Sequence, residues 1–310
     1  MINFSHYIEA NIVHLGIEFN NDLYMLREDL IPYSFGGNKV RKGILFFEDI
    51  DNGDYDCVVT YGGSHSNHCR VISNMAWSRN MDCYIIGPDT VNDMTFNSKL
   101  VSFFGARVKN VPVECVKESI DELLQQLIQD GKKPYFIPGG GHSIIGTQAY
   151  EECYELIKRY EREHNVFFDY VFFASGTGTT HAGLVCGQIK NKDIRKIVGI
   201  SIARKNPRGR EIVMDSIKEF MPTIDQKKIE DNTIFIDQYI GDGYGSDNKE
   251  IISMIKHMMR KYGVPMDTTY TGKAMYGMWE YLKENYVLGK NILFIHTGGT
   301  PLFFNDLDKW

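Results

Sequence analysis

The stretch from 170 to 183, Tyr170-Val171-Phe172-Phe173-Ala174-Ser175-Gly176-Thr177-Gly178-Thr179-Thr180-His181-Ala182-Gly183, decides the fold. It opens with aromatic, β-branched and small residues in an unbroken apolar run, the composition of a strand covered on both faces. It then turns through two glycines set among hydroxyl residues and continues as a helix of small and apolar residues. A strand, a glycine-rich turn and a helix make half of a βαβ unit, and turns at strand carboxyl ends are where open parallel sheets collect ligands. Backbone N–H groups and hydroxyls together suit a single phosphate. A dinucleotide fingerprint would need glycine or alanine where His181 stands, and an acid after the next strand, where Ala203 and Arg204 stand instead. A Walker loop would need a GK[ST] that does not follow.

Outward from this junction the pattern repeats. Short apolar runs at 57–61, 83–86, 107–111, 134–137, 170–174, 197–202, 233–237 and 292–296 read as strands. Stretches of helical period lie between them, among them 116–129, 147–163, 211–220, 249–262 and 273–284. The alternation predicts an α/β fold of parallel open sheets flanked by helices. Turn residues at 51–54 and the loosened run at 139–146 mark two boundaries, so residues 55–145 are expected to form a small domain inserted into a larger one built from 1–54 and 146–310.

Composition narrows the function. Of 310 residues, 43% are hydrophobic and 24% charged, which suits a soluble globular protein and argues against disorder. A net charge of −6 excludes a general nucleic-acid binder, which needs a basic face to displace counterions. Cys57, Cys69, Cys83, Cys115, Cys153 and Cys186 are spread singly with no CxxC pair, the usage of a reduced, cytoplasmic chain without a zinc knuckle. The first residues lack a basic start followed by an apolar run, and no stretch approaches a membrane span. A small-molecule substrate is expected.

Three further glycine-rich junctions carry chemistry. In Phe35-Gly36-Gly37-Asn38-Lys39-Val40-Arg41-Lys42, Asn38 is a candidate N-cap, and two glycines allow close backbone approach to a ligand. Lys39 then stands in the first turn of a helix, where Arg41, Lys42, the helix dipole and partial burial disfavour its ammonium form and supply the free amine a Schiff base needs. A lysine after a turn is, by itself, most often a solvated surface group. In Tyr61-Gly62-Gly63-Ser64-His65-Ser66-Asn67-His68-Cys69-Arg70, unpaired amides at a helix start, the Ser66 hydroxyl and the Asn67 amide offer a carboxylate site. Plain helix capping by Ser66 and Asn67 is the competing reading, and His65 with His68 lacks a third ligand for a metal. Gly243-Tyr244-Gly245, Tyr270-Thr271-Gly272-Lys273 and His296-Thr297-Gly298-Gly299-Thr300-Pro301 set hydroxyls beside glycines, and each alone reads equally as a turn.

Taken in order, these segments resemble the D-cysteine desulfhydrase and 1-aminocyclopropane-1-carboxylate deaminase family of fold-type II pyridoxal phosphate enzymes. GGNKVRK is similar to that family's lysine motif, GGSHSNHCR to its carboxylate loop, ASGTGTTHAGL to its phosphate loop, and YTGKAMYGM and HTGGTP to its cofactor-ring region; the likeness runs from about Leu23 nearly to the C-terminus. The resemblance implies a two-domain α/β fold like the tryptophan synthase β chain, bound pyridoxal 5'-phosphate, and a homodimer. It implies Lys39 as the residue that carries the cofactor and moves the α-proton, with Ser66, Tyr244 and Tyr270 as further catalytic groups. Ser66, Asn67 and His68 face the substrate, Asn67 also the cofactor. Ser175, Gly176, Thr177, Gly178, Thr179 and Thr180 hold the phosphate, while Thr271, near the ring nitrogen, and Thr297 complete the cofactor site. The implied reaction is α,β-elimination from a small amino acid, D-cysteine among the candidates, giving a 2-keto acid and ammonia. A β-replacement synthase that captures an aminoacrylate, a cyclopropane deaminase and a non-catalytic pyridoxal phosphate-binding protein are the alternatives. Thr271 and Thr297 stand where the deaminase branch has glutamate and leucine, and both match the desulfhydrase branch. His65 stands where the family usually has glutamine.

Overall fold

The computed structural model describes residues 9–18, 20–89, 94–241 and 243–307. The strands fall into two sheets. The first holds β1 (Ile12–Glu18), β2 (Asn21–Arg27), β10 (Asn291–His296), β7 (Tyr170–Ser175), β8 (Lys196–Ser201) and β9 (Ile234–Ile236), in that spatial order. The second holds β5 (Arg107–Val111), β4 (Asp82–Pro88), β3 (Cys57–Tyr61) and β6 (Pro134–Ile137). Every pairing is parallel except that of β1 with β2.

The parallel strands are covered on both sides, as their unbroken apolar runs require. Val171, Phe173, Leu293 and Ile295 enter one core, while Phe172, Phe294 and Ile292 enter the core on the opposite face. Side chains alternate faces along a strand, so adjacent phenylalanines 172 and 173 stabilise two different layers, each by about 2–3 kcal/mol of buried apolar surface. The small sheet repeats the device: Val58 packs with Ile72 and Phe47, whereas Cys57 and Val59 pack with Leu127.

All eight strands read from the sequence are present, with ends displaced by at most two residues. The hairpin β1–β2 was not among them. It is an antiparallel addition at the sheet's edge that joins through β2 to β10. Its residues IVHLGIE and NDLYMLR mix polar and apolar types without the continuous apolar run that marks the central strands. Among the described residues, no helix is long and apolar enough to cross a membrane.

In each sheet the strand order turns back near the middle. β7 leads outward to β8 and β9 while β10 and β2 lie on its other side; β3 leads to β4 and β5 while β6 lies on its other side. Such reversals open a crevice at the strand carboxyl ends. The helices that follow are α1 (Asn38–Asn52), α2 (Asn67–Trp77) and α6 (Thr179–Asn191), with α5 (Ile144–His164) packed along α6. That last contact has no slack: a Cβ on Gly183 would lie 2.3 Å from the Thr147 carbonyl oxygen and 2.7 Å from Tyr150 Cβ. Gly183→Val is therefore expected to destabilise the fold by about 3 kcal/mol through overpacking. A urea midpoint unchanged from the wild type would contradict this packing.

Candidate active site

The crevice is a cavity of about 1110 Å3 lined by the loops that end β3, β6, β7 and β10 and by the start of α1. Lys39, Ser66, Asn67, His68, Ser175, Gly176, Thr177, Gly178, Thr180, Tyr244, Tyr270 and Thr297 all line it. Segments far apart in sequence are thus brought to one place, as the reading of the glycine-rich junctions anticipates.

Lys39 is placed by the turn before it. Gly37 has φ +102, and a Cβ there would meet the Thr297 carbonyl at 2.9 Å, so the turn closes only on glycine. The next amide, Asn38 N–H, donates to that carbonyl at 2.9 Å, tying the start of α1 to the end of β10. Asn38 is not the N-cap: Gly37 occupies that position, and Asn38 is the first helical residue, its amide donating to Thr180 Oγ1 at 3.2 Å. Lys39 Nζ donates to the Gly140 carbonyl at 3.0 Å, and burial pulls its pKa down to about 8. Arg41 takes no part in this: it is locked on Glu28 by hydrogen bonds of 2.9 and 2.6 Å, with the Tyr150 hydroxyl donating to the same carboxylate.

One turn on, Lys42 is buried, 1% exposed, and its Nζ donates to Thr179 Oγ1 at 2.7 Å. Burial and the neighbouring Lys39 hold its pKa well below the usual lysine range. Among the described residues no carboxylate pairs with it. The partner hydroxyl opens α6, whose N-cap, Gly178 at φ +107, offers no side chain to the first-turn amides. Free amides, hydroxyls and a buried ammonium converge there, which suits a bound anion and leaves the ammonium costly without one. Lys42 is not among the site residues expected from the sequence, though its place three residues after Lys39 sets both on one helical face.

The second loop is equally organised. Ser66 is the N-cap of α2, its oxygen accepting the Cys69 amide at 3.1 Å, so its hydroxyl proton remains for the cavity. Thr60 Oγ1 donates to the Ile137 carbonyl at 2.7 Å and therefore receives Nε2–H of His68 at 2.9 Å. Burial, Lys39 and Lys42 hold the His68 pKa well below the ordinary value, so the ring is neutral and its buried Nδ1 is a bare acceptor. His65 lines the cavity with its ring edge-on to Tyr244, centroids 6.5 Å apart. Tyr244 and Tyr270 share a short hydroxyl–hydroxyl hydrogen bond. Burial pushes Tyr244 up to about 12 and Tyr270 well above its ordinary value, so both remain phenols at neutral pH.

Two expected residues stand off the cavity. Thr179 is held between Lys42 and the Gly141 carbonyl. Thr271 is fully buried, its hydroxyl donating to Asp267 Oδ2 at 2.8 Å, while Asp267 also accepts the amides of Tyr270 and Thr271 at the start of α10 (Thr271–Glu284). The Thr271 proton is thus committed to a carboxylate, and Thr268, Thr269 and Thr297 are the threonines of this region that reach the cavity wall. Among the described residues no cluster of His, Cys, Asp and Glu could hold a metal ion.

The lowered Lys39 pKa has a definite sign. The free amine accumulates as pH rises to about 8, so capture of a small aromatic aldehyde at Lys39 should accelerate about tenfold per pH unit below 8 and level off above it. A plateau reached only near the ordinary lysine value of about 10.4 would contradict the burial argument.

With the glycine-rich turns, the buried lysines and the cavity in place, the chain can be compared with known proteins. The family model described as "pyridoxal-phosphate dependent enzyme" matches residues 9–298. The chain is 33% identical to a protein of Pyrococcus horikoshii named putative 1-aminocyclopropane-1-carboxylate deaminase, over 96% of this chain and 90% of that one. It is 30% identical to D-cysteine desulfhydrase of Yersinia pestis, over 91% of this chain and 88% of the relative. A crystal structure of an ACC deaminase homologue superposes with a TM-score of 0.85 at 30% identity, covering 97% of this chain and 93% of its own. The chain belongs to the family of pyridoxal-phosphate dependent enzymes.

Proposed function

We propose that this enzyme removes the α-proton and a β-substituent from a small amino acid, with pyridoxal phosphate carried on Lys39. The observation that supports this most is the position of Lys39, an amine of pKa about 8 on a cavity wall shared by the Ser175–Thr180 turn and the Ser66–Asn67 turn. The residues present fit the cofactor. The first amides of α6 would hold the phosphate, with Lys42 behind them on the Thr179 hydroxyl, and this buried lysine, which pairs with no carboxylate among the described residues, is the feature that asks for one. Asn67, Thr180 and Thr297 would complete the cofactor site. When bound, pyridoxal phosphate supplies the sink for electrons released at the substrate's α-carbon.

The chain's own groups do the rest. Ser66 Oγ and Asn67 Nδ2 bind the substrate carboxylate and so fix which face of Cα is presented. Lys39 Nζ takes the α-proton as a base of matched pKa. His68, neutral, adds no positive charge next to Lys39 and does not compete with it as an acid. Of the two tyrosine hydroxyls, one donates to the other, which leaves a single phenolic proton for the departing β-group. Water then replaces nitrogen, and one amino acid and one water give a 2-keto acid, ammonia and the protonated leaving group.

D-cysteine is the substrate we favour, on the likeness to the desulfhydrase and on Thr297, which lines the cavity where the deaminase branch has leucine. The same reading takes residues 55–145, which contain all four strands of the small sheet, as a domain inserted between 1–54 and 146–310. It also takes the enzyme as a cytoplasmic homodimer, where its six free thiols persist.

Borohydride reduction of the holoenzyme, followed by peptide mapping, should find the pyridoxyl group on Lys39. The wild type should release keto acid and ammonia from D-cysteine and 3-chloro-D-alanine, and Lys39→Ala should lose that turnover by at least about a thousandfold, as expected when a base is removed. An adduct on Lys42 or Lys273, or faster turnover of 1-aminocyclopropane-1-carboxylate than of either D-amino acid, would contradict the proposal.

A further inference from the structure

Behind the carboxylate loop lies an arginine that the reaction as described does not use. Arg70 is fully buried in α2, one turn after Asn67. Its Nη1 donates to Asn67 Oδ1 at 2.9 Å and to Asn97 Oδ1 at 3.0 Å, and its Nη2 donates to the Gly36 carbonyl at 3.1 Å. Its Nε is buried without a partner. Among the described residues no carboxylate pairs with it. Elsewhere the fold does pair its buried arginines: Arg41 sits on Glu28 at 2.6 Å and Arg195 on Glu161 at 2.7 Å. Burial lowers the Arg70 pKa to about 9, which leaves it cationic at neutral pH.

The contacts have a direction. A guanidinium only donates, so both asparagine oxygens must face it. Asn97 spends its Nδ2 on Asn67 Oδ1 at 2.9 Å and on the His65 carbonyl at 3.1 Å. With Oδ1 of Asn67 doubly occupied from behind, its Nδ2 is left as a donor for the cavity that Asn67 lines. The third contact is to Gly36, in the turn that places Lys39. One buried cation therefore ties the loop that receives a carboxylate to the turn that receives an amine, and an α-amino acid carries both groups on a single carbon.

We propose that Arg70 is the latent counter-charge of the substrate carboxylate and the positioning residue that turns the Asn67 amide toward it. This inference rests on the proposed amino-acid site. The charge left unbalanced in the fold is balanced when the carboxylate docks, so the site discriminates an amino acid from an amine of the same size through a group that never touches either. The potential of a buried charge is poorly screened and acts across the intervening amide.

The test compares alanine, D and L, with ethylamine, which has the amine without the carboxylate and, like alanine, no departing β-group. Dissociation constants are read from the visible band of the holoenzyme. The wild type should prefer alanine to ethylamine. In Arg70→Met that preference should fall at least about tenfold, and Arg70→Lys, which keeps the charge but not the fork of donors, should lie between the two. A preference unchanged in Arg70→Met, whether both amines weaken together or neither does, would overturn the inference, because loss of folding or of cofactor moves both alike. An Arg70→Lys variant no better than Arg70→Met would overturn the counter-charge. A wild-type band that responds to neither amine would contradict the amino-acid site itself and the inference with it; a wild-type preference that survives in Arg70→Met contradicts the inference alone.

Discussion

Burying a basic group without an acidic partner is among the costlier things a fold can do, and this one does it at Lys42 and Arg70, with the part-buried Lys39 on the wall of the same cavity. Lys39 donates to a carbonyl, Lys42 to a hydroxyl, and Arg70 to two amides and a carbonyl. The contrast with Arg41 and Arg195, each seated on a buried glutamate, separates two uses of buried charge. Where the charge belongs to the fold, the partner is built in. On the proposed reading, the partner is withheld around the cavity and the ligand brings it. The neutrality of His68 follows first from its burial and then from the neighbouring Lys39 and Lys42.

The two sheets make this arrangement affordable. Strands covered on both faces give rigid ends, and both sheets reverse their strand order at the crevice, so the first turns of α1, α2 and α6 open onto it. The helix starts contribute free amides, and the cations stand on those same helices, at Lys39 and Lys42 in α1 and at Arg70 in α2. Close backbone approach holds the pieces in register, with Gly37 against Thr297 and α6 against α5 through Gly183.

Much of this was legible in the sequence, for physical reasons. Continuous apolar runs announced the central strands because both of their faces are buried, and glycine-rich turns announced the ligand loops because backbone approach needs glycine. The hairpin of β1 and β2 was not legible, since an antiparallel edge lacks that continuous run. The parts proposed for Lys42, Arg70 and Asn97 were not legible, because they depend on burial and on which atoms face which, and neither has a local pattern. Thr271 shows how a motif and a side chain's contacts can point different ways. Its motif led to the ring nitrogen, but Asp267, four residues earlier, takes its proton and turns it away from the cavity. A motif locates a residue on an element; the hydrogen-bond partners decide what its side chain has left to offer.

On the proposed reading, the buried Lys42 is there for a phosphate held at the start of α6. Phosphorus NMR of the holoenzyme over pH 5.5 to 8.5 tests it most directly, since a free phosphate ester takes up its second proton near pH 6. A phosphate paired with Lys42 and the α6 amides should give one resonance fixed at the dianion position across that range, and Lys42→Met should restore titration. A wild-type resonance that titrates near pH 6 would place the phosphate in solvent and contradict the account.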